Sequence, residues 1–316
     1  MIKYQINDRV VAPVLMLSAA MQFSVMNFCI KLLSSDFSIW HISFFRFFGG
    51  LVILLALFGR NKNPFKGHQH KLLVMRGLFG SIAFLLIVYA IRILPLSSAM
   101  VIVYTYPAFA AIFSVWLYGD SIRISQLFMI ILVLSGAFVL FGFKGGNLLG
   151  EILATVAAGL FGLTVTLIRS LRQKNGPVII YLYFCTMGAL ISLPNYMKDP
   201  LIPVTPHQWF IVICLVGFSV SAQLAMNQGF FYCKSYEGGI YMTMDAVFTV
   251  LAGVVFLSEK MTWQLLTGGC MILSGIIAMN LLCPKKDSNT NKPKNGSGNY
   301  SDDSDQALLK QQTNLS

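Results

Sequence analysis

Acids are scarce in this chain: 12 Asp and Glu among 316 residues, with charged residues of both signs making up only 11%. Soluble domains carry about a quarter charged residues, so a water-soluble globular body is excluded. Catalytic signatures are missing too. No Walker A loop, no HExxH and no G-x-S-x-G occurs, so nucleotide-driven, zinc-hydrolase and serine-hydrolase readings have no support. Energy for any work must then come from a gradient, from exchange, or from a substrate's own concentration difference. The six cysteines, Cys29, Cys185, Cys214, Cys233, Cys270 and Cys283, lie inside or at the ends of apolar runs with no close-spaced pair. They read most simply as small buried hydrophobes. His68 and His70 form a lone HxH in a basic loop, which reads as a solvated loop before it reads as a metal site. We expect no cofactor and no metal.

Apolar length is what the chain has in abundance. Hydrophobic residues make up 56%, and a membrane-spanning helix needs about 20 of them in succession. Ten stretches qualify, at roughly 11–33, 38–58, 72–94, 96–118, 124–143, 148–171, 177–196, 207–233, 237–258 and 262–283. The first is long enough to span and has no small-residue cleavage pattern behind it, so no cleaved leader is expected. Residues 284–316 are polar and poor in aromatics, and read as a disordered cytoplasmic tail.

The net charge of +11 suggests nucleic acid until it is placed on the chain. With the amino terminus in the cytoplasm, sixteen of the 23 Lys and Arg fall on the inner side and five on the outer, leaving Arg46 and Arg76 within spans. That bias is the positive-inside pattern, and it predicts a cell (inner) membrane protein with both termini cytoplasmic. The lipid bilayer is then the partner and nucleic acid is not. The sequons at Asn295 and Asn299 would be on the wrong side for glycosylation.

The chain also repeats itself. "VLSGAFVL" (133–140) falls on "ILSGIIAM" (272–279) at a shift of 139 residues, which also superposes Gly49 on Gly188, Phe79 on Phe218, Ala83 on Ala222 and Asp120 on Glu259. A shift of 138 superposes Ala19, Ala20, Phe23 and Lys31 on Ala157, Ala158, Phe161 and Arg169. The unit holds five spans, an odd number, so its second copy enters the membrane from the opposite side. Inverted repeats are a transporter architecture in which two halves rock about a site near the midplane. The expected fold is an all-α integral membrane protein of ten transmembrane helices, with a first repeat over 1–145, an inverted second over 146–283, and the tail.

"RGLFGSIAFLLIVYAIRILPLSSAMVIVYTYPAFAAIFSVWLYGDSIRISQ" (76–126) resembles the first repeat of the drug/metabolite transporter superfamily, EamA type, through Arg76-Gly77, Leu94-Pro95, Ala99, Pro107 and Asp120. "SYEGGIYMTMDAVFTVLAGVVFLSEKMTWQLLTGG" (235–269) is similar to the second repeat, with Glu259 and Gly268 in place and Ala246 where the family often has proline. The resemblance implies ten helices with both ends inside. It also implies a central cavity lined by spans one to four and six to nine, with five and ten peripheral. It further implies that Tyr104-Thr105-Tyr106-Pro107 faces the cavity, where water or substrate can satisfy the backbone groups that Pro107 frees by kinking the helix.

Polar residues deep in apolar runs are the candidate substrate-binding groups. Arg46, about eight residues into span two, is costly there and must face a partner or a wet cavity. Asp245 is similarly deep in span nine, and the repeat shift sets it against Tyr106. Arg46 and Asp245 could pair, bind the two charges of a zwitterion, or couple to a proton. Gln223 and Asn227, four apart in span eight, share a face and serve either as interhelical glue or as ligand contacts. Gln22 and Asn27 are weaker versions of the same case. Tyr104 and Tyr106 complete the set. Trp40, His41, Trp116 and Trp263 read as interfacial anchors. Arg76, near an inner end, reads as a snorkelling structural residue, and Asp120 and Glu259 as structural helix-end residues.

The expectation is a membrane carrier, not an enzyme, for a small polar organic metabolite. An amino acid or an amino-acid-like compound such as S-adenosylmethionine, moved by alternating access, fits the two charge signs. An exporter of amphiphilic drugs is the alternative within transport, given 13% aromatics. A membrane-embedded enzyme or receptor is the alternative outside it. Small residues of the repeated LSG in spans five and ten suggest a homodimer.

Overall fold

The computed structural model describes residues 8–59, 65–119, 124–140, 147–172, 174–232 and 235–281. Asp120, Cys233, Cys283 and the tail with its sequons lie outside them. The described residues form eleven helices and no strand: α1 (Asp8–Leu33), α2 (Ile39–Phe58), α3 (His70–Ile93), α4 (Leu96–Val103), α5 (Tyr106–Tyr118), α6 (Ile124–Leu140), α7 (Leu148–Leu171), α8 (Pro177–Lys198), α9 (Pro206–Tyr232), α10 (Ser235–Leu257) and α11 (Trp263–Leu281). Because α4 and α5 are two pieces of one span, Leu96–Tyr118, these make ten spans. Seven are long and apolar enough to cross a bilayer, and Leu127–Val139, Tyr241–Leu257 and Trp263–Ala278 are shorter apolar helices.

Local chemistry sets the helix ends. Thr205 Oγ1 accepts from the Gln208 N–H (3.2 Å) while Gln208 Oε1 accepts from the Thr205 N–H (3.3 Å), a reciprocal capping box that starts α9. Thr262 Oγ1 accepts from Leu265 N–H (3.2 Å) at the start of α11. Pro177 opens α8, where its missing N–H costs nothing. The corner between α3 and α4 is capped from two sides. Lys31 Nζ donates to the carbonyls of Ile91 (2.8 Å) and Leu94 (2.6 Å). Glu259 accepts from the N–H of Leu96 (2.6 Å), the N–H of Ser97 (3.0 Å) and the Ser97 hydroxyl (2.6 Å). A cation at the end of one helix and a carboxylate at the start of the next both match the helix dipoles and satisfy backbone groups that lipid would leave unpaired.

Packing follows an approximate two-fold. α1 packs on α9 and α10, as α7 packs on α3 and on the α4–α5 pair. α2 packs on α9, as α8 packs on α3; α2 and α8 pack on each other, as do α4 and α10, and α6 and α11. Exchanging the first five spans for the second five maps each of these pairings onto itself or another. That is the two-repeat architecture expected from the shift of 139 residues.

Close approach is permitted by small residues. A Cβ on Gly188 of α8 would fall 2.4 Å from the Phe47 ring of α2. A Cβ on Gly136 of α6 would fall 2.9 Å from the Gly268 carbonyl of α11, and one on Gly275 of α11 would fall 2.7 Å from Val133 of α6. The glycines of both LSG segments are therefore used within one chain. Large apolar residues such as Phe138, Val204, Phe256 and Trp263 are exposed, as a lipid-facing surface requires.

Candidate functional site

Arg46 projects from the middle of α2 into the space between α2, α3, α8 and α9 and is only 2% exposed. Its Nε donates to Ser219 Oγ of α9 (2.7 Å), and that hydroxyl lies 3.2 Å from the Tyr181 hydroxyl of α8. The guanidinium face is covered by aromatic rings. Its central carbon lies 3.8 Å from the centre of Phe84, 5.2 Å from Phe47 and 5.3 Å from Phe184. These contacts satisfy the face of the cation and leave its edge. Nη1 is buried with no hydrogen-bond partner. The titratable groups around Arg46 are Tyr181, Cys185 and Arg76, none of them a carboxylate that could balance the charge.

Arg76 joins the same locus from α3, which the sequence did not suggest. Rather than snorkelling to an interface it is 2% exposed, with its guanidinium carbon 4.3 Å from the centre of the same Phe184 ring. Nε and Nη1 are both buried without a partner. The physical reason is a ring on a sequence-distant helix: Phe184 of α8 closes over the side chain, and α3–α8 packing covers its route outward. Arg76's neighbours are Cys185, Arg46 and Tyr181.

Gln223 and Asn227 extend this locus along α9. With Ser219 they fall at four-residue intervals, so all three share one helix face. Both are buried, and Gln223 Oε1 and Asn227 Oδ1 have no hydrogen-bond partner, while Asn227 Nδ2 donates to the Pro177 carbonyl (3.3 Å). Ser43 of α2, one turn before Arg46, is also buried with an unpartnered hydroxyl. Gln22 instead accepts from Ser221 between α1 and α9, as interhelical glue would.

The Tyr104-Thr105-Tyr106-Pro107 stretch breaks its span between α4 and α5. Pro107 has no N–H to continue the helix. Much of the freed backbone is satisfied locally: Thr105 gives both its N–H (3.0 Å) and its Oγ1–H (2.8 Å) to the Ile102 carbonyl, and the Tyr104 N–H reaches Met100 (2.9 Å). The repeat carries Ala246 in the corresponding region, and α10 runs unbroken through it. Tyr104 and Thr105 are buried, while Tyr106 is partly buried with its ring 5.7 Å from Tyr104 and 6.4 Å from Phe161.

Asp245 does not meet Arg46. Its carboxylate accepts from the Tyr104 hydroxyl and from Thr249 Oγ1 (3.0 Å) one turn along α10. The candidates thus separate into a cationic locus around Arg46, continued by Gln223 and Asn227, and a Tyr104–Asp245 clamp joining α4 to α10. His41, expected as an interfacial anchor, is buried with Nε2 2.5 Å from the Asp199 carbonyl, whereas Trp116 and Trp263 are exposed. His70 bonds Tyr183 through Nδ1 (2.7 Å) and, among the described residues, no cluster of three metal-ligating side chains occurs.

Ser219 and Tyr181 were silent in the sequence, because one hydroxyl in an apolar helix usually bonds its own backbone. A hint existed in the i, i+4, i+8 register of Ser219 with Gln223 and Asn227.

Known proteins share this architecture. The EamA-like transporter family model matches the chain twice, over residues 11–142 and 148–281. The chain is 24% identical over 268 residues to the pseudopaline exporter CntI of Pseudomonas aeruginosa, covering 83% of this chain and 93% of that protein. It is 25% identical over 281 residues to solute carrier family 35 member G1 of Homo sapiens, covering 82% of this chain and 76% of the relative. One solved crystal structure superposes with a TM-score of 0.64 at 17% identity, over 86% of this chain and 96% of its own, a likeness of fold alone.

Proposed function

The chain belongs to the EamA-like transporter family, and from that premise we propose that this multi-pass membrane transporter carries a small polar organic acid, amino-acid-like compounds included. Movement is by alternating access of the two inverted halves across the cell membrane. The observation that carries the substrate reading is the buried Arg46 guanidinium with an unpartnered Nη1. A cation in a membrane core costs about 2.5–3.5 kcal/mol even on insertion scales, so it persists where a partner or a ligand compensates it. Ser219 and the ring faces compensate it in part. An acid group of the substrate completes the set, and Gln223 and Asn227 offer amide contacts to the rest of the molecule. Since Asp245 is held by Tyr104 and Thr249, we assign it to the coupling of α4 with α10. The name of one relative, an exporter, supports outward movement.

Arg46 variants test this reading. Arg46→Lys keeps the charge and loses the planar donor fork; acid-bearing ligands found in a thermal-shift screen of metabolite pools should bind it more weakly while the protein still folds. Arg46→Ala should abolish transport. If Arg46 only braces the fold, the alanine variant will instead show low expression and melting temperature with unchanged affinity. Unchanged affinity at unchanged stability would remove Arg46 from the site.

A further inference from the structure

We propose that Arg76 is a second cationic ligand of the same site, so that the carried molecule bears two acid groups. This rests on reading Arg46 as the acid-binding residue and deepens it. The two guanidinium carbons lie 5.3 and 4.3 Å from the centre of one ring, Phe184, so they can be no farther apart than those two distances laid end to end. Both side chains are 2% exposed, and between them three guanidinium nitrogens are buried with no acceptor: Arg46 Nη1, Arg76 Nε and Arg76 Nη1.

Neutral groups cannot hold two such cations together. Tyr181, Cys185 and Ser219 surround them, and none is a carboxylate. Aromatic faces attract a guanidinium from above but accept nothing from its in-plane N–H groups. The acids elsewhere do not serve: Asp245 accepts from Tyr104 and Thr249, the buried Glu151 lies in the first turn of α7, and the half-buried Glu259 caps α4. Two like charges buried together repel, and a ligand with one negative charge offsets only one of them. A ligand with two acid groups offsets both and supplies planar acceptors matched to the two forks. The donors come from two helices, α2 and α3, that meet at one ring contributed by α8, so a ligand that serves both must present an acid group to each helix. α2 and α3 belong to the first repeat, whereas Ser219 and Phe184 of the second bond and cover their guanidiniums, so the site lies between the two halves that alternating access must move.

Four probes on the purified full-length protein in lipid nanodiscs test the assignment: succinate, succinamate with one acid replaced by an amide, succinamide with none, and inorganic phosphate. Succinate should bind the wild type roughly tenfold or more tightly than succinamate, the worth of one charge-assisted hydrogen-bonded pair. Arg76→Gln should reduce succinate to the succinamate level and leave succinamate unchanged, whereas Arg46→Gln should weaken both. Should Arg76→Gln fold poorly, Arg76→Lys keeps the charge without the fork and should give intermediate succinate affinity. Equal binding of succinate and succinamate, or no saturable succinate binding, overturns the second ligand; so does tighter binding of phosphate. In each case the one-acid reading is still judged by whether succinamate binding depends on Arg46. An Arg76 variant that binds all probes like the wild type also overturns the proposal.

Discussion

Asp245 is a carboxylate buried in a membrane helix, and its partners decide what it costs. The Tyr104 hydroxyl and Thr249 Oγ1 both donate to it. Tyr104→Phe removes one donor without changing shape, which should cost about 1–3 kcal/mol because the acceptor stays buried. The loss should appear as a lower melting temperature, and it should shrink when Asp245 is already Asn. Additive effects in that double-mutant cycle would show that the hydroxyl contributes nothing through Asp245. Residues of this kind are legible from sequence because a charge inside an apolar run has few explanations. Arg46 and Asp245 stand out for that reason. Arg76 did not, because a position near a span end permits snorkelling, and only the Phe184 ring from α8 removes that exit. The pairing of Arg46 with Asp245 was one of several options at similar depth. Depth says nothing about azimuth, and the azimuths of α2 and α10 send the two side chains to different helices.

Helix contacts turn on single hydrogens. Phe47 is fully buried between Phe84 and Phe184, with ring centres at 5.3 and 5.1 Å, and its ring lies where a Cβ on Gly188 would sit. Gly188→Ala should therefore destabilise by about 1–3 kcal/mol, the usual cost of overpacking, and should weaken ligand binding by displacing the ring beside Arg46. Gly217→Ala on α9 is the matched control. Nothing lies within 4 Å of its would-be Cβ, and alanine in a helix gains up to about 1 kcal/mol over glycine. Melting temperatures of the pair should move in opposite directions; a harmless Gly188→Ala would mean that α2 and α8 separate easily. At this scale the break at Pro107 was legible because proline chemistry is local. How the break is satisfied was not, since the Thr105 hydroxyl competes with water for the Ile102 carbonyl and wins by proximity.

For the molecule as a whole, the repeat carried most of the information. A register shared by glycines and small residues across many spans fixes which helices are equivalent, and the packing pairs obey that equivalence. The partners of the LSG glycines could not be read in the same way, because a small-residue face suits a neighbouring chain as well as a neighbouring helix. Here α6 and α11 face each other through those glycines, so the two glycines supply no argument for a homodimer, which is a separate proposal. Orientation in the bilayer is a separate matter. A helical bundle has no intrinsic up or down, and the Lys and Arg bias is what sets it. Sixteen basic residues against five predict that residues 60–71 and the segment after Cys283 share one side, the cytoplasm. Reporter fusions at both places should read cytoplasmic, and one after Lys144 should read from the opposite face, because five spans precede it. A cytoplasmic signal at Lys144 would leave the first repeat with an even number of crossings. The second copy would then enter from the same side as the first, and inversion of the halves, on which the proposed alternating access depends, would be lost.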